Sequence, residues 1–380
     1  MLENIINKET FEVNWNLVEQ LPDFVLLKKG GYHADWHGEG NSYIHTQNVV
    51  NAAYTLPEWN ELVNREKYIL ICACLFHDIG KGVCNTMKED GNWSAPHHAK
   101  TGEKIARYLL WDEPFELREM ICSLIKYHMK FTYLIEKEAS EIDRTVVEIS
   151  LNSNVKLLYL LNKCDSLGAI SIDREDTLIK KELLKERAIA LHCFDEPFEF
   201  HNDISKFHYF NSNENNSSPY LQLFDDTKFD IYIMSGIAGS GKSYYLKNNL
   251  SSLPIISRDI IRQELGFVDA NGKFKGDKQQ ESKVTEIEEE KIKECCRNKQ
   301  SFVYDNMSIK KMWRDKFINL VLPYNLKIHI VYVETSKENN IMRRKGQIAK
   351  DAIIKMQRDL EMPHLTDCHK IIYSLNDRKI

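Results

Sequence analysis

The feature of this sequence that most constrains its fold is an apolar run that leads directly into a glycine-rich segment. Residues 229–243 read Phe-Asp-Ile-Tyr-Ile-Met-Ser-Gly-Ile-Ala-Gly-Ser-Gly-Lys-Ser. From Gly236 onward they match the pattern G-x-x-x-x-G-K-[ST] at every fixed position, and residues 244–250 are compatible with a helix. The pattern predicts a strand, a loop and a helix N-terminus. A plain glycine-rich turn, the alternative, would need neither the preceding strand nor the following helix.

The residue types of this loop indicate what it binds. Glycine permits positive φ angles, so backbone N–H groups can converge on phosphate oxygens while the following helix presents its positive end to the same anion. Lys242 would then hold the β and γ phosphates of ATP, and Ser243 would hold Mg²⁺. The predicted nucleotide-binding residues are Gly236, Gly239, Ser240, Gly241, Lys242 and Ser243.

The composition limits the class of protein. The chain has 380 residues, 43% of them hydrophobic, and no apolar run approaches the roughly 20 residues that a membrane-spanning helix needs. The first residues lack the basic start and apolar core of a signal peptide, and the nine cysteines include no C-x-x-C pair. We therefore expect two domains, no membrane association and a reducing, cytoplasmic location.

Hydrophobic periodicity divides the chain into a helical front and an α/β back. Apolar residues recur at spacings of three and four through about residue 195, in segments 67–76, 100–110, 116–128, 155–167 and 177–193. After residue 229 short strand candidates alternate with helical segments, which predicts a parallel sheet; the strands are 231–234, 254–257, 301–304 and 327–333. The predicted fold is multidomain, with an all-α helical bundle over 1–195, a polar linker over 196–228 and an α/β domain over 229–380.

A histidine and an aspartate lie side by side at the end of an apolar helical segment in the front half. His77 and Asp78 could meet one metal ion there, and Lys81 would lie on the same side of the chain. Alone, the pair is also explained by a buried histidine that is satisfied by its neighbouring carboxylate. Further candidate ligands stand beside other predicted helices, and they are His45, His98, His128 and Asp165.

Together these residues resemble the HD phosphohydrolase superfamily, a group of metal-dependent helical bundles. The run Trp-His-Gly-Glu-Gly at 36–40, followed by His45, is similar to the start of HD domains that act on RNA ends, such as the one attached to bacterial tRNA CCA-adding enzymes. The resemblance implies core metal ligands at His45, His77, Asp78 and Asp165. His98 and His128 match the additional histidines of members that hold two metals. His33 and His37 would contact substrate phosphate or lie on a surface loop.

The HD resemblance also implies a reaction. One or two divalent transition metals, such as Mn, Ni or Co, would lower the pKa of a bound water and neutralise a phosphoester oxygen. Asp78 would bridge two such ions, and Lys81 would stabilise the developing negative charge. The product would be a hydrolysed phosphate ester. The residue types do not select one metal, because sites of histidine and aspartate accept several.

Downstream of the glycine-rich loop, Asp259 and Arg262 stand three residues apart at the start of a predicted helix. An Asp-x-x-Arg after a serine resembles the second motif of P-loop polynucleotide 5'-kinases. The resemblance makes Asp259 the general base for a 5'-hydroxyl and Arg262 a clamp on acceptor phosphate; helix capping and a surface arginine are the alternative. Asp305 would assist Mg²⁺ through water, although Met307-Ser308 replaces the Thr-Asn of relatives.

The run from 338 to 346 resembles the lid of the same kinases. Arg343 and Arg344 would close over the donor phosphates, and Lys345 is the third candidate for that contact. A basic, solvated helix face is the alternative for at least one of the three.

In this order, the two halves resemble the bacterial HD-Pnk family of nucleic-acid end-healing enzymes over nearly the whole chain. The family implies transfer of the ATP γ-phosphate to a 5'-OH end and hydrolysis of a 2',3'-cyclic or terminal phosphate at the 3' end. It also implies RNA or DNA strand ends as partners and a separate ligase downstream. Two other interpretations remain open: a nucleotide-metabolism enzyme with a small-molecule kinase, and an HD hydrolase gated by a regulatory NTPase.

Overall fold

The computed structural model describes residues 2–31, 37–89, 91–212, 218–269 and 274–376. The chain divides into two compact units, of which the first ends at Glu199 and the second begins at Phe200. The first is a helical domain and the second contains a five-stranded parallel sheet. The predicted fold class is therefore confirmed.

The first unit is built from helices that overlap all five predicted helical segments; segments 100–110, 116–128 and 177–193 each run one to three residues past the helix end. In chain order α1 to α12 they are Leu2–Ile5, Trp15–Val18, Pro22–Lys29, Ser42–Thr55, Asn64–Phe76, Lys81–Cys84, His98–Leu109, Phe115–Tyr127, Lys130–Leu134, Ala139–Asn152, Val155–Gly168 and Arg174–Ala190. A 3₁₀ turn spans Pro57–Glu61. The strands β1 (Thr86–Met87) and β2 (Trp93–Ser94) form a short antiparallel pair that the all-α prediction lacked. Each has only two residues, too few to show a period-2 pattern.

Helix α5 runs through the middle of the first unit. Its residues from Leu70 to Phe76 are all fully buried, because α4, α8 and α11 pack around it. A helix that is apolar on every side has no solvent face and so can only lie in a core. This burial carries the residues that follow Phe76 into the interior, and those residues are His77 and Asp78.

The second unit is a parallel sheet with helices between its strands. The strands β3 to β7 are Asp230–Ser235, Ile255–Ile256, Phe302–Tyr304, Lys327–Glu334 and Lys370–Leu375. Their order is β4-β5-β3-β6-β7, with Ile231 opposite Phe302 on one side and opposite Ile328 on the other. The chain moves to one side of β3 and then to the other, and ligands of such sheets bind at the carboxyl ends of the strands where this reversal occurs.

The helices of the second unit alternate with its strands. In chain order α13 to α19 they are Asp203–Asn211, Lys242–Asn249, Arg258–Glu264, Lys278–Arg297, Lys311–Val321, Lys337–Arg343 and Lys350–Asp359. Within the described ranges, no helix is both long and apolar enough to cross a membrane.

Helix α13 falls inside the segment predicted as a linker. Lys206 Nζ donates to the carbonyl of His369 at 2.8 Å, and Asn211 Nδ2 donates to the carbonyl of Thr366 at 2.9 Å. These bonds tie the helix to the chain just before β7, so residues 203–211 belong to the second unit. The linker was predicted to begin at residue 196 because the apolar periodicity fades after Pro197, and helix α13 lies within that segment.

Candidate active sites

The metal ligands predicted for the first unit come together in its interior. His45 comes from α4, His98 is the first residue of α7, and Asp165 lies near the end of α11. His77 follows α5 directly, and His128 follows α8. All of these side chains are buried or nearly so, except that Asp165 is 23% exposed. Five helices separated along the sequence therefore build one polar cluster.

Asp78 lies at the centre of this cluster, and its two oxygens face different imidazoles. Oδ1 is 3.3 Å from His98 Nε2 and 3.7 Å from His128 Nε2. Oδ2 is 3.4 Å from His77 Nε2 and 3.8 Å from His45 Nε2. The donor atoms thus form two groups that share Asp78, one with His45 and His77 and the other with His98 and His128.

The aspartate predicted as the most distant ligand joins the first group. Asp165 Oδ1 is 2.9 Å from His45 Nε2 and 3.7 Å from His77 Nε2. A shared central carboxylate with a second carboxylate on one side is a donor set suited to two divalent cations.

Three of the histidines are oriented by the backbone. Nδ1 of His77 lies 2.8 Å from the carbonyl of Cys74, Nδ1 of His98 lies 2.8 Å from that of Ala95, and Nδ1 of His128 lies 2.6 Å from that of Ile125. A carbonyl only accepts, so each Nδ1 carries a hydrogen and each Nε2 of a neutral ring carries a lone pair. The bonds therefore aim the ligating atoms into the cluster.

The pairing of Nε2 atoms supports a cation. His98 Nε2 and His128 Nε2 are 3.2 Å apart, and lone pairs at that distance repel each other. A cation held between them and Asp78 would remove the repulsion, and imidazole nitrogens with carboxylate oxygens suit divalent transition metals. The residues present therefore fit the metals that the sequence predicted.

The electrostatics of the cluster keep its carboxylates ionised. Burial alone would raise the pKa of Asp78, but Lys81 and His77 hold it well below its usual range. Burial lowers the pKa of His128 to about 3, and the neighbouring rings of His98 and His77 add to that effect. Burial also opposes protonation of His45, yet Asp165 and Glu39 outweigh it and raise its pKa to about 9.

Lys81 lies where it was predicted, beside the central carboxylate. Its Nζ is 2.7 Å from Asp78 Oδ2 and 3.2 Å from His37 Nε2. Both Lys81 and His37 line a cavity of about 780 Å³ that also exposes Asp78, His98 and Asp165. His33, the other loop histidine of the sequence analysis, lies outside the described residues.

Glu39 is a buried residue of this site that sequence reasoning missed. Its Oε1 is 2.8 Å from His45 Nδ1 and 2.9 Å from His37 Nδ1, and its Oε2 accepts from the backbone N–H of Ile170 at 2.7 Å. Nδ1 of His45 thus faces a carboxylate, whereas the other three histidines are oriented by carbonyls. The available signal was the glutamate in the run from 36 to 40, which stands six residues before His45.

The glycine-rich loop of the second unit has the predicted conformation. Gly239 has φ 81° and Gly241 has φ 110°, and a Cβ on Gly239 would come within 2.6 Å of the carbonyl oxygen of Asn340. Larger residues would be strained at these positions. Helix α14 begins directly after Gly241, so the loop and the helix N-terminus face the same space.

That space is a cleft of about 800 Å³ at the carboxyl edge of the sheet. It collects most of the residues predicted for nucleotide binding and transfer, namely Gly239, Gly241, Lys242, Ser243, Asp259, Arg262, Asp305, Arg343 and Arg344. Gly236 and Ser240 lie behind its lining: the N–H of Gly236 donates to the carbonyl of Met307 at 2.9 Å, and Ser240 is buried. These two residues shape the loop.

Lys242 is folded back onto its own loop. Its Nζ donates to the carbonyl of Gly236 at 2.7 Å and to that of Ile237 at 3.1 Å, and burial lowers its pKa to about 8. Opposite the loop, Arg343 Nη1 is 3.3 Å from the carbonyl of Gly239, and Arg344 shares the cleft with it. Lys345 is not among the described residues that line the cleft.

Asp259 and Arg262 form an ion pair on the cleft wall. Asp259 Oδ1 is 2.8 Å from Arg262 Nη1, and the Asp259 side chain is 85% exposed. Arg262 Nη2 is also held by Glu281 Oε1 at 2.6 Å. Glu281 belongs to helix α16, which the sequence analysis did not predict, and it fixes Arg262 without covering the aspartate. Asp305 is mostly buried, and that burial raises its pKa.

Comparison with known families separates the two units in the same way. Residues 43–178 match the family described as HD domain, and residues 231–359 match the family described as AAA domain. The chain carries an HD domain followed by a P-loop domain. Neither match spans both domains, so the HD-Pnk resemblance remains a prediction.

Other comparisons add little. No curated protein matches the sequence. Among solved structures, a candidate kinase from Chloroflexus aurantiacus J-10-fl is 13% identical, with 40% of this chain and 86% of that chain covered and a TM-score of 0.32. A similarity of that size is too low to support a statement about fold or function.

Proposed function

We propose that the protein heals broken nucleic-acid strands at both ends. The P-loop domain transfers the γ-phosphate of ATP to a 5'-OH polynucleotide end with the help of Mg²⁺. The HD domain hydrolyses a 2',3'-cyclic or terminal phosphate at a 3' end with the help of one or two divalent metals. RNA or DNA ends are the substrates, and a separate ligase would use the products.

The observation that carries the kinase half is the exposed carboxylate of Asp259 in the same cleft as the phosphate-binding loop. A hydroxyl that attacks the γ-phosphorus must lose its proton, and an accessible carboxylate on the acceptor side of the cleft accepts it. The new bond joins the 5' oxygen to the γ-phosphorus, the bond to the β-phosphate oxygen breaks, and ADP leaves. Lys242, Arg343 and Arg344 line the same cleft, and we expect them to neutralise the transferring phosphoryl group.

The clustered histidines and aspartates support the hydrolytic half. Divalent cations bound there would lower the pKa of a water and neutralise phosphate charge. Asp78 and Asp165 supply negative charge to hold such ions, and the backbone carbonyls keep the imidazole Nε2 atoms directed at them. Lys81, beside Asp78 and on the cavity wall, would neutralise a phosphate oxygen of the substrate.

Two other functions predict different products. A regulatory NTPase would hydrolyse ATP without phosphorylating an acceptor. Such a switch needs no base or phosphate clamp on the acceptor side, so Asp259 and Arg262 would have no role in it. A nucleotide-metabolism enzyme would prefer free nucleosides or nucleotides over oligonucleotides. The kind of acceptor therefore decides between this enzyme and the proposed one.

The test is an RNA oligomer that carries both a 5'-OH and a 2',3'-cyclic phosphate. It is incubated with ATP and Mg²⁺, and separately with Mn²⁺, Ni²⁺ or Co²⁺, and both ends are followed by mass spectrometry. We expect a 5'-phosphate that requires ATP and loss of the cyclic phosphate without ATP. Phosphorylation of free nucleosides or nucleotides in preference to the oligomer would contradict the proposal.

A further inference from the structure

The order of the strands separates the two sides of the nucleotide cleft. The phosphate-binding loop follows β3, and the arginines of the lid region follow β6 on one side of it. Asp259 follows β4 and Asp305 follows β5, and both of these strands lie on the opposite side of β3. An acceptor that reaches Asp259 therefore approaches over the β4 and β5 side of the cleft.

Helix α17 packs against β5, one of the strands on this acceptor side, and the ring centres of Phe317 and Tyr304 lie 4.2 Å apart. Two of its residues, Trp313 and Lys316, line the same cleft as Asp259. They are three residues apart and so project from one face of the helix. Trp313 is 42% exposed and the side chain of Lys316 is 72% exposed, so both are accessible to a ligand in the cleft.

Two lysines flank Trp313, and each has a carboxylate partner. Lys310 Nζ lies 5.5 Å from the centre of its ring and is fixed by Asp359 at 3.0 Å. Lys316 Nζ lies 3.4 Å from Glu289 Oε1, a pair at an exposed site that holds the ammonium only weakly. An exposed aromatic ring flanked by lysines is the combination that binds single-stranded nucleic acid, by stacking on bases and by attracting the backbone.

Single exposed aromatic residues are common on protein surfaces and need no explanation by themselves. Met312, the neighbour of Trp313, is an example of an exposed apolar side chain without such a role: it is 68% exposed and does not line the cleft. The position of Trp313 is different: it is in the wall that leads from Asp259, where the strand attached to a 5'-OH end would have to run.

We propose that Trp313 and Lys316 are the acceptor-strand platform of the kinase. The Trp313 ring stacks on a base beyond the terminal nucleotide, and Lys316 contacts a backbone phosphate of the same strand. This inference rests on the proposed function and narrows it, since the platform makes a single-stranded polynucleotide a better acceptor than a nucleotide that has no second base.

The experiment measures kinase KM and kcat for a 5'-OH oligonucleotide and for a nucleoside 3'-monophosphate, with wild type, Trp313→Ala, Trp313→Phe and the control Met312→Ala. We expect Trp313→Ala to raise KM for the oligonucleotide roughly tenfold or more, as loss of one stacked base would. KM for the mononucleotide should stay within about twofold, and Trp313→Phe should restore most of the oligonucleotide affinity, because its ring can still stack.

Lys316→Gln gives an independent readout through salt. The slope of the logarithm of oligonucleotide affinity against the logarithm of salt concentration should become shallower by about one unit, because one phosphate contact is lost. Lys283→Gln, at an exposed lysine of α16 outside the cleft, is the matched control and should leave the slope unchanged.

The outcomes distinguish a failure of the platform from a failure of the proposed function. Wild type that phosphorylates no oligonucleotide would contradict the proposed function. Wild type that does so, with a Trp313→Ala variant indistinguishable from Met312→Ala, would overturn the platform alone. A Trp313→Ala variant that loses ATP binding, or that is equally impaired on both acceptors, would also overturn it, because the ring would then have a structural role.

Discussion

In the HD domain the charged and polar side chains of the site are buried, whereas in the kinase-like domain several of them face an open cleft. Asp78 is 1% exposed and is surrounded by imidazoles, but the Asp259 side chain is 85% exposed. The first arrangement has to balance its charges inside the protein, and it does so with Lys81, the histidines and the cations that they would hold. The second can leave its charges to water until ATP and an acceptor arrive.

This difference teaches which residues can be changed without disturbing the fold. Removing one partner from a buried charged cluster leaves the others uncompensated, so site and stability are coupled there. Removing an exposed carboxylate affects mainly what the cleft can do. The predictions below test that contrast, from the largest expected effect to the smallest.

Asp78→Ala should have the largest effect. The variant removes the carboxylate that both groups of ligands share, so we expect metal content to fall towards zero and phosphoesterase activity to fall on the order of a thousandfold. Metal content is measured by elemental analysis and activity with a cyclic-phosphate oligomer. ATP-dependent phosphorylation of the 5' end by the same preparation is the control for folding. A variant that keeps its metals would contradict the central role of Asp78.

Asp259→Asn should affect the other domain. The amide keeps the size of the side chain but cannot take a proton, so the rate of phosphoryl transfer at saturating substrate should fall roughly a hundredfold to ten-thousandfold. ATP binding, followed by titration, should be unchanged because Asp259 lies on the acceptor side. A wild-type rate of transfer in this variant would exclude Asp259 as the base.

Glu39→Gln should have an intermediate effect on the metal cluster. The amide retains the shape but loses the charge that faces His45 Nδ1, and changes of this kind in the outer shell of a metal site reduce metal affinity about tenfold to a hundredfold. The measurement is a metal titration of the metal-free protein by calorimetry. Unchanged affinity would assign Glu39 to holding the loop through Ile170 instead.

Asp259→Ala should have the smallest effect on stability. Arg262 keeps its bond to Glu281 in this variant, and exposed ion pairs contribute little, so the free energy of unfolding should change by less than about 0.5 kcal/mol. Chemical denaturation measures it. The comparison is the same denaturation measurement on the buried Asp78→Ala variant in the absence of metal. Equal changes in the free energy of unfolding in both variants would contradict the contrast between the buried and the exposed site.

Sequence reasoning predicted contiguous motifs better than it predicted contacts between residues that are distant in the sequence. The phosphate-binding loop is contiguous with its neighbours, so residues 229–250 predicted strand β3, the loop and helix α14 together. The predicted metal ligands are spread from His45 to Asp165, and only their resemblance to a family, not their spacing, predicted that they meet. In the structure their side chains lie together in one cluster.

The residues that were missed are those whose role depends on folded geometry. Glu39 has no spacing that marks it as the acceptor for His45 Nδ1. Helix α16 is rich in Glu, Lys and Gln and has few apolar residues, so its periodicity was not recognised. Glu281, which lies on this helix and holds Arg262, was therefore missed as well. Trp313 became informative only when the structure placed it in the same cleft as Asp259.

The central claim is that two independent sites serve opposite ends of one strand. The most direct measurement gives Asp78→Ala and Asp259→Asn the same 5'-OH, 2',3'-cyclic-phosphate oligomer with ATP and metals, and weighs the products by mass spectrometry. The account predicts that Asp78→Ala yields a 5'-phosphate with the cyclic phosphate intact, and that Asp259→Asn yields a 5'-OH with the cyclic phosphate opened. Loss of both reactions in either folded variant would contradict it.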